Sequence, residues 1–250
     1  MIETELCAYS VEACRIAARC GVLRAELCAS PWEGGVTPSA AAVEMAREVE
    51  GLRLHVMIRP RGGDFLYSDD EFRQMVREVH FARRCGADGV VVGLLTAEGE
   101  VDVERTRLLV EEAEGMAVTF HRAFDMTRDT ERALEDVIST GCSRILTSGG
   151  CNTAQEGASA LRRLVERSAG RIAVMAGSGV RPDNAAEILA TGVNALHFSA
   201  RSLRESGMRF RNGRVSMGGG GTVPEYGYYE ADPETIDKIL SAISLYAAGR

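Results

Sequence analysis

Short apolar runs alternate with amphipathic segments from one end of this 250-residue chain to the other. Apolar runs of this kind, bounded by glycine and polar residues, predict buried strands. The amphipathic segments between them predict helices. Eight strands are predicted, at Ile2–Cys7, Arg24–Cys28, Leu54–Ile58, Val90–Gly93, Val118–His121, Arg144–Thr147, Ile172–Ala176 and Ala195–Ser199.

Residues that cap helices stand at the start of several amphipathic segments. Serine, threonine and aspartate side chains accept hydrogen bonds from the free N–H groups of a first helical turn, and proline suits the first helical position. The predicted helix starts are Thr37-Pro38, the capping box Ser68-Asp69-Asp70-Glu71, Asp129 and the pair Asp232-Pro233.

A glycine that ends a helix and leads into a strand recurs four times, at Gly21, Gly86, Gly141 and Gly192. Each interval between these glycines holds two strand–helix units, so the repeat predicts eight strands and eight helices. No linker divides them. We therefore expect one domain over residues 1–250, an α/β fold of the single (β/α)8 TIM-barrel type. A doubly wound sheet is the alternative, but eight regular units without a large insertion favour closure.

The stretch 202–231 departs from this rhythm, because it has no clear helical pattern and contains the four-glycine run 218–221. It also carries Arg204, Arg209, Arg211 and Arg214. We expect an irregular loop or arm after the eighth strand. A segment of this length in a compact domain is usually a lid, an interface arm or disordered. A homodimer interface and a solvated loop are both open interpretations.

Charge and composition exclude several functions. Acidic residues number 36 against 29 basic ones, and every basic residue except Lys238 is arginine. The net charge of −7 argues against a general nucleic-acid binder. Lys238 follows an aspartate near the C-terminus, so it serves neither a Walker phosphate loop nor Schiff-base chemistry. The longest uncharged apolar stretch, Gly89–Ala97, is too short to span a membrane.

The N-terminal residues show no basic region and no apolar stretch resembling a signal peptide. We therefore expect a cytoplasmic protein. Its seven cysteines are then expected to be reduced thiols. None of them forms a Cys-x-x-Cys motif, so a zinc ribbon or a thioredoxin-like site is not predicted.

Two strands place glutamate and cysteine on one face. Alternation puts Glu5 with Cys7, and Glu26 with Cys28, on the inner side of a barrel whose outer side packs on helices. The string Glu-Leu-Cys-Ala occurs at 5–8 and 26–29, so we expect Cys7 beside Cys28 and Glu5 beside Glu26. Met57 on the third strand faces the same way. Two thiols and a thioether suit Cu(I), while buried cysteines that merely pack are the alternative.

The paired glutamates need partners if they are buried, and Arg24, Arg59 and Arg122 are the candidates. A structural salt-bridge network and a catalytic acid/base pair are both open. The strongest active-site signal is the end of the fifth strand, where His121, Arg122 and Asp125 fall close together. His121 is a candidate general acid or base, Arg122 an anion clamp, and Asp125 a residue that orients the histidine or caps the next helix. Strict alternation cannot turn His121 and Arg122 inward together, so one of them belongs to a loop or bulge.

Small residues follow the last three predicted strands. The loops after strands seven and eight of a barrel often receive a phosphate through backbone N–H groups. We therefore predict an anion site there, with the candidates Ser148, Gly177, Gly179, His197 and Ser199.

Several strings resemble the CutC family of copper-homeostasis proteins, in the order of that family and across nearly the whole chain. The most specific are Arg-Pro-Arg-Gly-Gly-Asp-Phe at 59–65 and Thr-Phe-His-Arg-Ala-Phe-Asp at 119–125. Others are Glu-Leu-Cys at 26–28, Gly-Gly-Val-Thr-Pro-Ser at 34–39, Leu-Thr-Ser-Gly at 146–149 and Met-Arg-Phe-Arg-Asn at 208–212. The resemblance implies a TIM barrel, a cytoplasmic location and a role in copper handling. It also implies that Cys7 and Cys28 are the Cu(I) ligands.

Two functional hypotheses follow. The first is a copper-homeostasis protein that binds Cu(I) through Cys7 and Cys28. The second is an enzyme that acts by acid/base chemistry on a small anionic or phosphorylated metabolite. In it, Arg59 and Arg122 hold the anion, Glu26 and His121 exchange protons, and Asp125 supports them. Neither hypothesis involves nucleic acid or a membrane.

Overall fold

The computed structural model describes residues 2–215, 217 and 224–249. Eight consecutive parallel strands form a closed barrel in which each strand pairs with the next and β8 pairs with β1. This confirms the predicted (β/α)8 barrel and excludes the doubly wound sheet, which would leave two open edges. Within the described residues, no helix is long and apolar enough to cross a membrane.

The elements follow the predicted order. The barrel strands are β1 Glu3–Ala8, β2 Arg24–Leu27, β3 Arg53–Met57, β4 Gly89–Val92, β5 Ala117–Phe120, β6 Arg144–Thr147, β7 Ala173–Ala176 and β8 Ala195–Phe198. The helices are α1 Val11–Arg19, α2 Ala40–Arg47, α3 Asp69–Arg84, α4 Val103–Glu112, α5 Thr130–Thr140, α6 Ala158–Ser168, α7 Ala185–Leu189 and α8 Pro233–Ala248.

The barrel wall separates an apolar outer layer from a polar interior. Leu6, Ala8, Ala25 and Leu27 belong to the core between strands and helices, as the alternation predicted. The opposite face of β1 and β2 points inward. Because the helices cover only the outer side, charged side chains on the inner side must find partners across the barrel.

The predicted register between β1 and β2 was wrong by two residues. Cys7 lies opposite Glu26, and Glu5 lies opposite Arg24 rather than opposite Glu26. Matching the two Glu-Leu-Cys-Ala strings assumes strands without stagger, but a closed barrel requires each strand to shift along its neighbour. The observed register also places a guanidinium, instead of a second carboxylate, beside Glu5.

Three of the four predicted helix starts are confirmed. Ser68 and Glu71 form the reciprocal capping box of α3, while Asp129 and Asp232 cap α5 and α8. The prediction at Thr37 was wrong. Ser39 caps α2, because the Thr37 hydroxyl is already used: it accepts from the N–H of Arg59, the second residue after β3, at 2.8 Å.

The arm after β8 is more regular than predicted. Its two ends form an antiparallel pair, β9 Arg201–Glu205 and β10 Gly227–Ala231. The prediction of an irregular stretch was therefore wrong at these ends, where charged and aromatic residues hide the alternation of an exposed strand. The glycine run 218–221 lies outside the described residues.

Candidate functional site

A cavity of about 550 Å³ opens at the carboxyl end of the barrel, where the sites of TIM barrels lie. Its floor and walls come from residues at or just beyond the ends of several strands. The polar lining side chains include Cys7, Tyr9, Glu26, Arg59, His121, Arg122, Arg181, His197, Ser199 and Arg201.

Below the cavity, a buried ion network fills the barrel interior. The Arg24 guanidinium bonds to Glu5, and it donates to Glu3 at 3.0 Å. Arg144 donates to the same Glu3 at 2.9 Å. Of the predicted partners for the inner glutamates, Arg24 is therefore confirmed. Arg59 and Arg122 instead bind other groups, because both lie beyond the strand ends, above this layer.

His197 links the ion network to the cavity. Its Nδ1 lies 2.8 Å from Oε1 of Glu5, its neighbour on β1, and its Nε2 lies 3.8 Å from Oε2 of Glu26. A carboxylate at Nδ1 fixes the ring orientation and leaves Nε2 facing the cavity. The sequence prediction assigned His197 to an anion loop, but the structure groups it with Glu5, Glu26 and Cys7.

The two candidate thiols lie at the same level. Potential ligand atoms of Cys7, Glu26 and His197 all lie within 4.8 Å of one another. The buried Cys28 donates to Oε2 of Glu26 at 3.4 Å and clusters with Met57. The predicted proximity of Cys7 to Cys28 holds at the level of side chains, since Cys7 packs against the cluster formed by Cys28, Met57 and Val91.

The surroundings polarise this cluster. The hydrogen bond from Cys28 lowers the pKa of the Cys7 thiol well below its usual range, against the effect of burial. Burial raises the pKa of Cys28, and the hydrogen bond to Cys7 adds to this. Burial would lower the pKa of His197, but the neighbouring Glu26, Cys7 and Glu5 raise it well above its usual value. Both shifts favour the charged forms, a thiolate at Cys7 and an imidazolium at His197.

Glu26 differs from the other inner carboxylates. Burial raises its pKa well above the usual range, whereas hydrogen bonding and the charges of His197 and Arg24 lower the pKa of Glu5 in spite of its burial. One oxygen of Glu26, Oε1, is buried without a partner among the described residues. Glu26 is therefore the carboxyl of this site whose pKa is shifted upwards, opposite to that of Glu5.

The end of β5 places His121 and Arg122 differently, as the alternation required. His121 follows the strand, and Arg122 begins a short 3-10 turn, Arg122–Met126. Nδ1 of His121 accepts from the N–H of Ala123 at 3.1 Å, so the ring proton lies on Nε2. Burial and the nearby Arg59 lower the pKa of His121 to about 3. Its predicted role as a proton-exchanging residue near neutral pH is therefore not supported, and it is a fixed neutral donor.

Asp125 neither orients His121 nor caps the next helix, and both predicted roles were wrong. Its carboxylate accepts from the Thr147 hydroxyl at 2.5 Å, from the N–H of Ser148 at 3.0 Å and from the N–H of Gly150 at 3.0 Å. It also pairs with Arg122 at 2.8 Å. Asp125 thus joins the turn after β5 to the loop after β6. Its carboxylate also neutralises the guanidinium of Arg122.

Arg59 is buried at the edge of the cavity and is held by backbone. Its Nη1 donates to the carbonyls of Glu33 at 2.7 Å and Gly35 at 2.9 Å, and its Nη2 donates to that of Gly63 at 2.8 Å. Its Nε is buried and has no partner in the described part of the chain. These bonds fix the guanidinium in place without neutralising it.

Only three of the five predicted anion-site residues line the cavity. They are Gly179, His197 and Ser199. Ser148 is instead fully buried and bonds to Asp125. Gly177 is also a packing residue, because a Cβ there would lie 2.6 Å from Leu146. The helix after this loop, α7, has only five residues, so its N-terminus offers little dipole to an anion.

Several residues of this site, Arg181 among them, were not predicted. Tyr9 lines the cavity two positions after Cys7, and alternation along β1 could have identified it. Arg201 lies over the rings of Tyr9 and Tyr229 at 5.9 and 5.1 Å. Phe65 packs beside both Arg59 and His121, and no local pattern signals that contact.

Fold and site together define a TIM-barrel protein with a buried cluster of thiol, imidazole and carboxyl groups at the mouth of the barrel. The CutC family model matches residues 2–202. The chain belongs to the CutC family.

Relatives and a solved structure agree with this assignment. The family protein CutC of Chromobacterium violaceum is 51% identical over 240 residues, which cover 96% of this chain and 97% of the relative. The copper homeostasis protein cutC homolog of Homo sapiens is 43% identical over 241 residues, covering 96% and 88%. The crystal structure of CutC from Streptococcus agalactiae superposes with a TM-score of 0.76 at 33% identity, covering 80% of this chain and 99% of that one.

Proposed function

We propose that this protein binds Cu(I) as its cargo at the cluster of Cys7, Cys28 and His197. The observation that carries this proposal is the convergence of ligand atoms from Cys7, Glu26 and His197 within 4.8 Å of one another, with the Cys28 thiol in contact. Thiolate and imidazole ligands suit Cu(I), whereas a hard cation would prefer several carboxylates. The family's assignment to copper homeostasis supports the same function.

The chemistry of the donor set fits a soft monovalent ion. Cys7 already has thiolate character, and binding of a metal would displace the proton of Cys28 and free Nε2 of His197. The thioether of Met57, which lines the cavity and packs against Cys28, is a further soft donor. Glu26 contributes a hydrogen-bond partner for Cys28 rather than a ligand, because a carboxyl oxygen is a harder donor than thiolate or imidazole and suits a soft ion less well.

An anaerobic titration with Cu(I) against a competing chelator tests this site. We expect the wild type to hold one equivalent of Cu(I) against the chelator and the Cys7→Ser/Cys28→Ser variant to lose it. The matched control is Cys14→Ser/Cys142→Ser, which removes two buried thiols of the outer layer. Equal Cu(I) binding by the wild type and the Cys7/Cys28 variant would exclude the proposed ligands.

A second candidate function is acid/base catalysis on a small anionic metabolite. The observation in its favour is the pair of carboxyl groups flanking His197, with Glu5 at Nδ1 and Glu26 at 3.8 Å from Nε2. A cavity of about 550 Å³ also exceeds the needs of a single ion. In this alternative, Glu26 and His197 exchange protons, and His121 serves only as a donor.

Thermal-shift screening of small anionic metabolites, including phosphorylated ones, tests the enzyme alternative. We expect any turned-over ligand to raise the melting temperature of both the wild type and Glu26→Gln, while only the wild type converts it. If no metabolite raises the melting temperature, this candidate is rejected and the Cu(I) proposal stands on its own titration.

We also infer that the protein works in a reducing compartment, the cytoplasm. All seven cysteines are free thiols, which supports this inference. Cell fractionation with an antibody against the chain tests it, and recovery in a secreted or periplasmic fraction would contradict it.

A further inference from the structure

The cavity has a second polar wall, opposite in chemistry to the thiol cluster. It is formed by Arg59 after β3 and His121 after β5, with the ring of Phe65 packed against both. Arg59 is 6% exposed and His121 4% exposed. Both side chains line the same cavity as Cys7 and His197. The copper proposal uses neither of them.

Arg59 is a buried cation without a counterion. Three of its hydrogen bonds go to backbone carbonyls, and the buried Tyr67 hydroxyl is a further, uncharged hydrogen-bonding neighbour. Arg59 forms no ion pair with any carboxylate of the described chain. Its Nε has no partner there either. A buried charge that lacks both a counterion and a full set of hydrogen bonds is costly, so proteins rarely retain one without a use. Among the other arginines of the cavity wall, Arg122 pairs with Asp125 and Arg181 with Asp183, while the exposed Arg201 lies over the rings of Tyr9 and Tyr229.

His121 offers a second donor of fixed direction. Its Nδ1 accepts a hydrogen bond from the N–H of Ala123. Its Nε2 is buried with no partner among the described residues. The ring packs closely against Gly93, in space that a Cβ would occupy, because a Cβ there would lie only 2.3 Å from it. A neutral imidazole in this tautomer can donate from Nε2 and cannot accept there.

Both groups therefore need an acceptor. One delocalised positive charge and one neutral donor match a carboxylate, which has a single negative charge and two acceptor oxygens. A phosphate monoester carries more charge and would call for a second cation beside Arg59. The other arginine of this cavity without an ion pair in the described chain, Arg201, lies over the rings of Tyr9 and Tyr229 instead. Met57, Phe65 and Leu146 also line the cavity and provide apolar surface for the rest of a small organic molecule.

We propose that this wall is a binding site for a small organic carboxylate, whose oxygen atoms accept hydrogen bonds from Nε of Arg59 and Nε2 of His121. The site is independent of the copper proposal, because its donors are not among the thiol, thioether or imidazole groups assigned to Cu(I). A carboxylate bound there would share the cavity with the thiol cluster.

Titration calorimetry with benzoate, benzamide and phenyl phosphate tests the ligand class. These probes share one ring and differ in the group offered to Arg59 and His121. We expect benzoate to bind the wild type at least about tenfold more tightly than benzamide, because hydrogen bonds to charged groups are the stronger ones. Tighter binding of phenyl phosphate than of benzoate would overturn the carboxylate assignment.

Variants assign the donors. We expect His121→Phe, which keeps the ring and removes Nε2–H, to weaken benzoate binding about tenfold. Arg59→Lys should weaken it as well, because lysine lacks the Nε donor. The control Arg181→Ala, which removes a cation that already has a partner, should bind benzoate as the wild type does. Unchanged binding by His121→Phe would overturn the proposal.

Two measurements keep the test decisive. The ¹⁵N NMR signal of His121 Nε2 should shift in a saturable manner with acetate or benzoate. Acetate has no aromatic ring, so this result does not depend on how the ring of benzoate fits the cavity. If neither carboxylate shifts it, the proposal fails. Benzoate binding should persist in Cys7→Ser/Cys28→Ser without copper, so a failure of Cu(I) binding and a failure of this site are distinguishable.

Discussion

His121 and His197 line one cavity, yet their surroundings shift their pKa values in opposite directions. Two carboxyl groups and a thiol surround His197 and raise its pKa. His121 has a cation, Arg59, nearby, and burial with this charge lowers its pKa to about 3. Both rings are buried, so burial alone does not decide the charge of a histidine. The sign of the nearest charges decides it.

His121 gives a testable dependence of stability on pH. Its pKa falls from 6.5 to about 3 on folding, so the unfolded chain binds the proton more readily. The stabilisation is complete above pH 6.5 and is lost as the pH falls towards 3. We expect His121 alone to reduce the free energy of unfolding by about 2 kcal/mol between pH 7 and pH 5. Urea unfolding of the wild type and His121→Gln across this range measures it.

The comparison contains its own control. The stability difference at pH 7 reports the contacts that His121→Gln loses, and only the change of that difference with pH reports the ring proton. His55, whose pKa burial lowers to about 4, remains in both proteins and adds the same slope to each. If the unfolding free energies of the two proteins change with pH in parallel, folding does not lower the pKa of His121, and the prediction is contradicted.

The turn after β5 and the loop after β6 are one unit because of Asp125. Its carboxylate accepts from Thr147, Ser148 and Gly150 and pairs with Arg122. We expect Asp125→Ala to cost about 3 kcal/mol or more in unfolding free energy, because buried donors and a guanidinium lose their acceptor. Asp183→Ala, which removes an exposed ion pair with Arg181, should cost less than about 1 kcal/mol. Similar losses in the two variants, measured by chemical denaturation, would refute this role.

The same loop rests on a glycine at the start of α6. A Cβ on Gly157 would lie 1.8 Å from the carbonyl oxygen of Ser148, a backbone atom that cannot rotate away. We expect Gly157→Ala to destabilise the protein by about 3 kcal/mol or to prevent folding. Gly207→Ala, where a Cβ meets open space, is the control and should change the melting temperature little. A stable Gly157→Ala protein would show that the junction shifts easily.

Local patterns explain which elements could be predicted from the sequence. Alternation located all eight barrel strands, and capping side chains located α3, α5 and α8, because each signal involves neighbours in the chain. The register of β1 against β2 could not be predicted, because the stagger of strands is a property of the closed barrel. The helix start predicted at Thr37 was wrong for a similar reason. Its hydroxyl accepts from the backbone N–H of Arg59, 22 positions further along the chain.

In the candidate site too, features set by neighbours in the chain could be predicted, and features set by contacts between distant strands could not. Alternation predicted that Cys7, Glu26 and Cys28 face inward, and the change of direction after His121 was also expected. The grouping of His197 with Glu5 joins the last strand to the first, which is a contact made only by closure. Besides the nearby Arg122, the partners of Asp125 lie in another strand–helix unit, so no spacing in the sequence could reveal them.

At the scale of the molecule, cationic groups lie inside an acidic protein. The chain has a net charge of −7, yet Arg24, Arg59 and Arg144 are buried in or above the barrel. Glu3 and Glu5 balance Arg24 and Arg144, whereas Arg59 has no such balance. A carboxylate ligand would therefore enter against the overall charge of the protein, and the local field of Arg59 would have to hold it.

The arm formed by β9, β10 and their connection leads to the last prediction, on oligomeric state. A two-stranded sheet is marginal in water without a covering surface. Tyr229 packs against Trp32 at 5.4 Å between ring centroids, which ties the arm to the barrel. Met208, Phe210 and Tyr228 nevertheless remain exposed. Large apolar side chains grouped on one exposed segment mark an interaction surface.

We expect this surface to hold a homodimer, and Met208→Ser/Phe210→Ser to shift the protein to monomer in sedimentation velocity over a range of concentrations. Leu245→Ser is the matched control: Leu245 is 75% exposed, close to the 74% of Phe210, but it lies on α8. The barrel should keep its unfolding free energy within about 0.5 kcal/mol in the monomeric variant, since exposed side chains contribute little to folding. A wild type that sediments as a monomer would contradict the prediction, and so would a dimer that survives both serine substitutions. Because neither Met208 nor Phe210 lines the cavity, Cu(I) and benzoate binding should persist in the monomer.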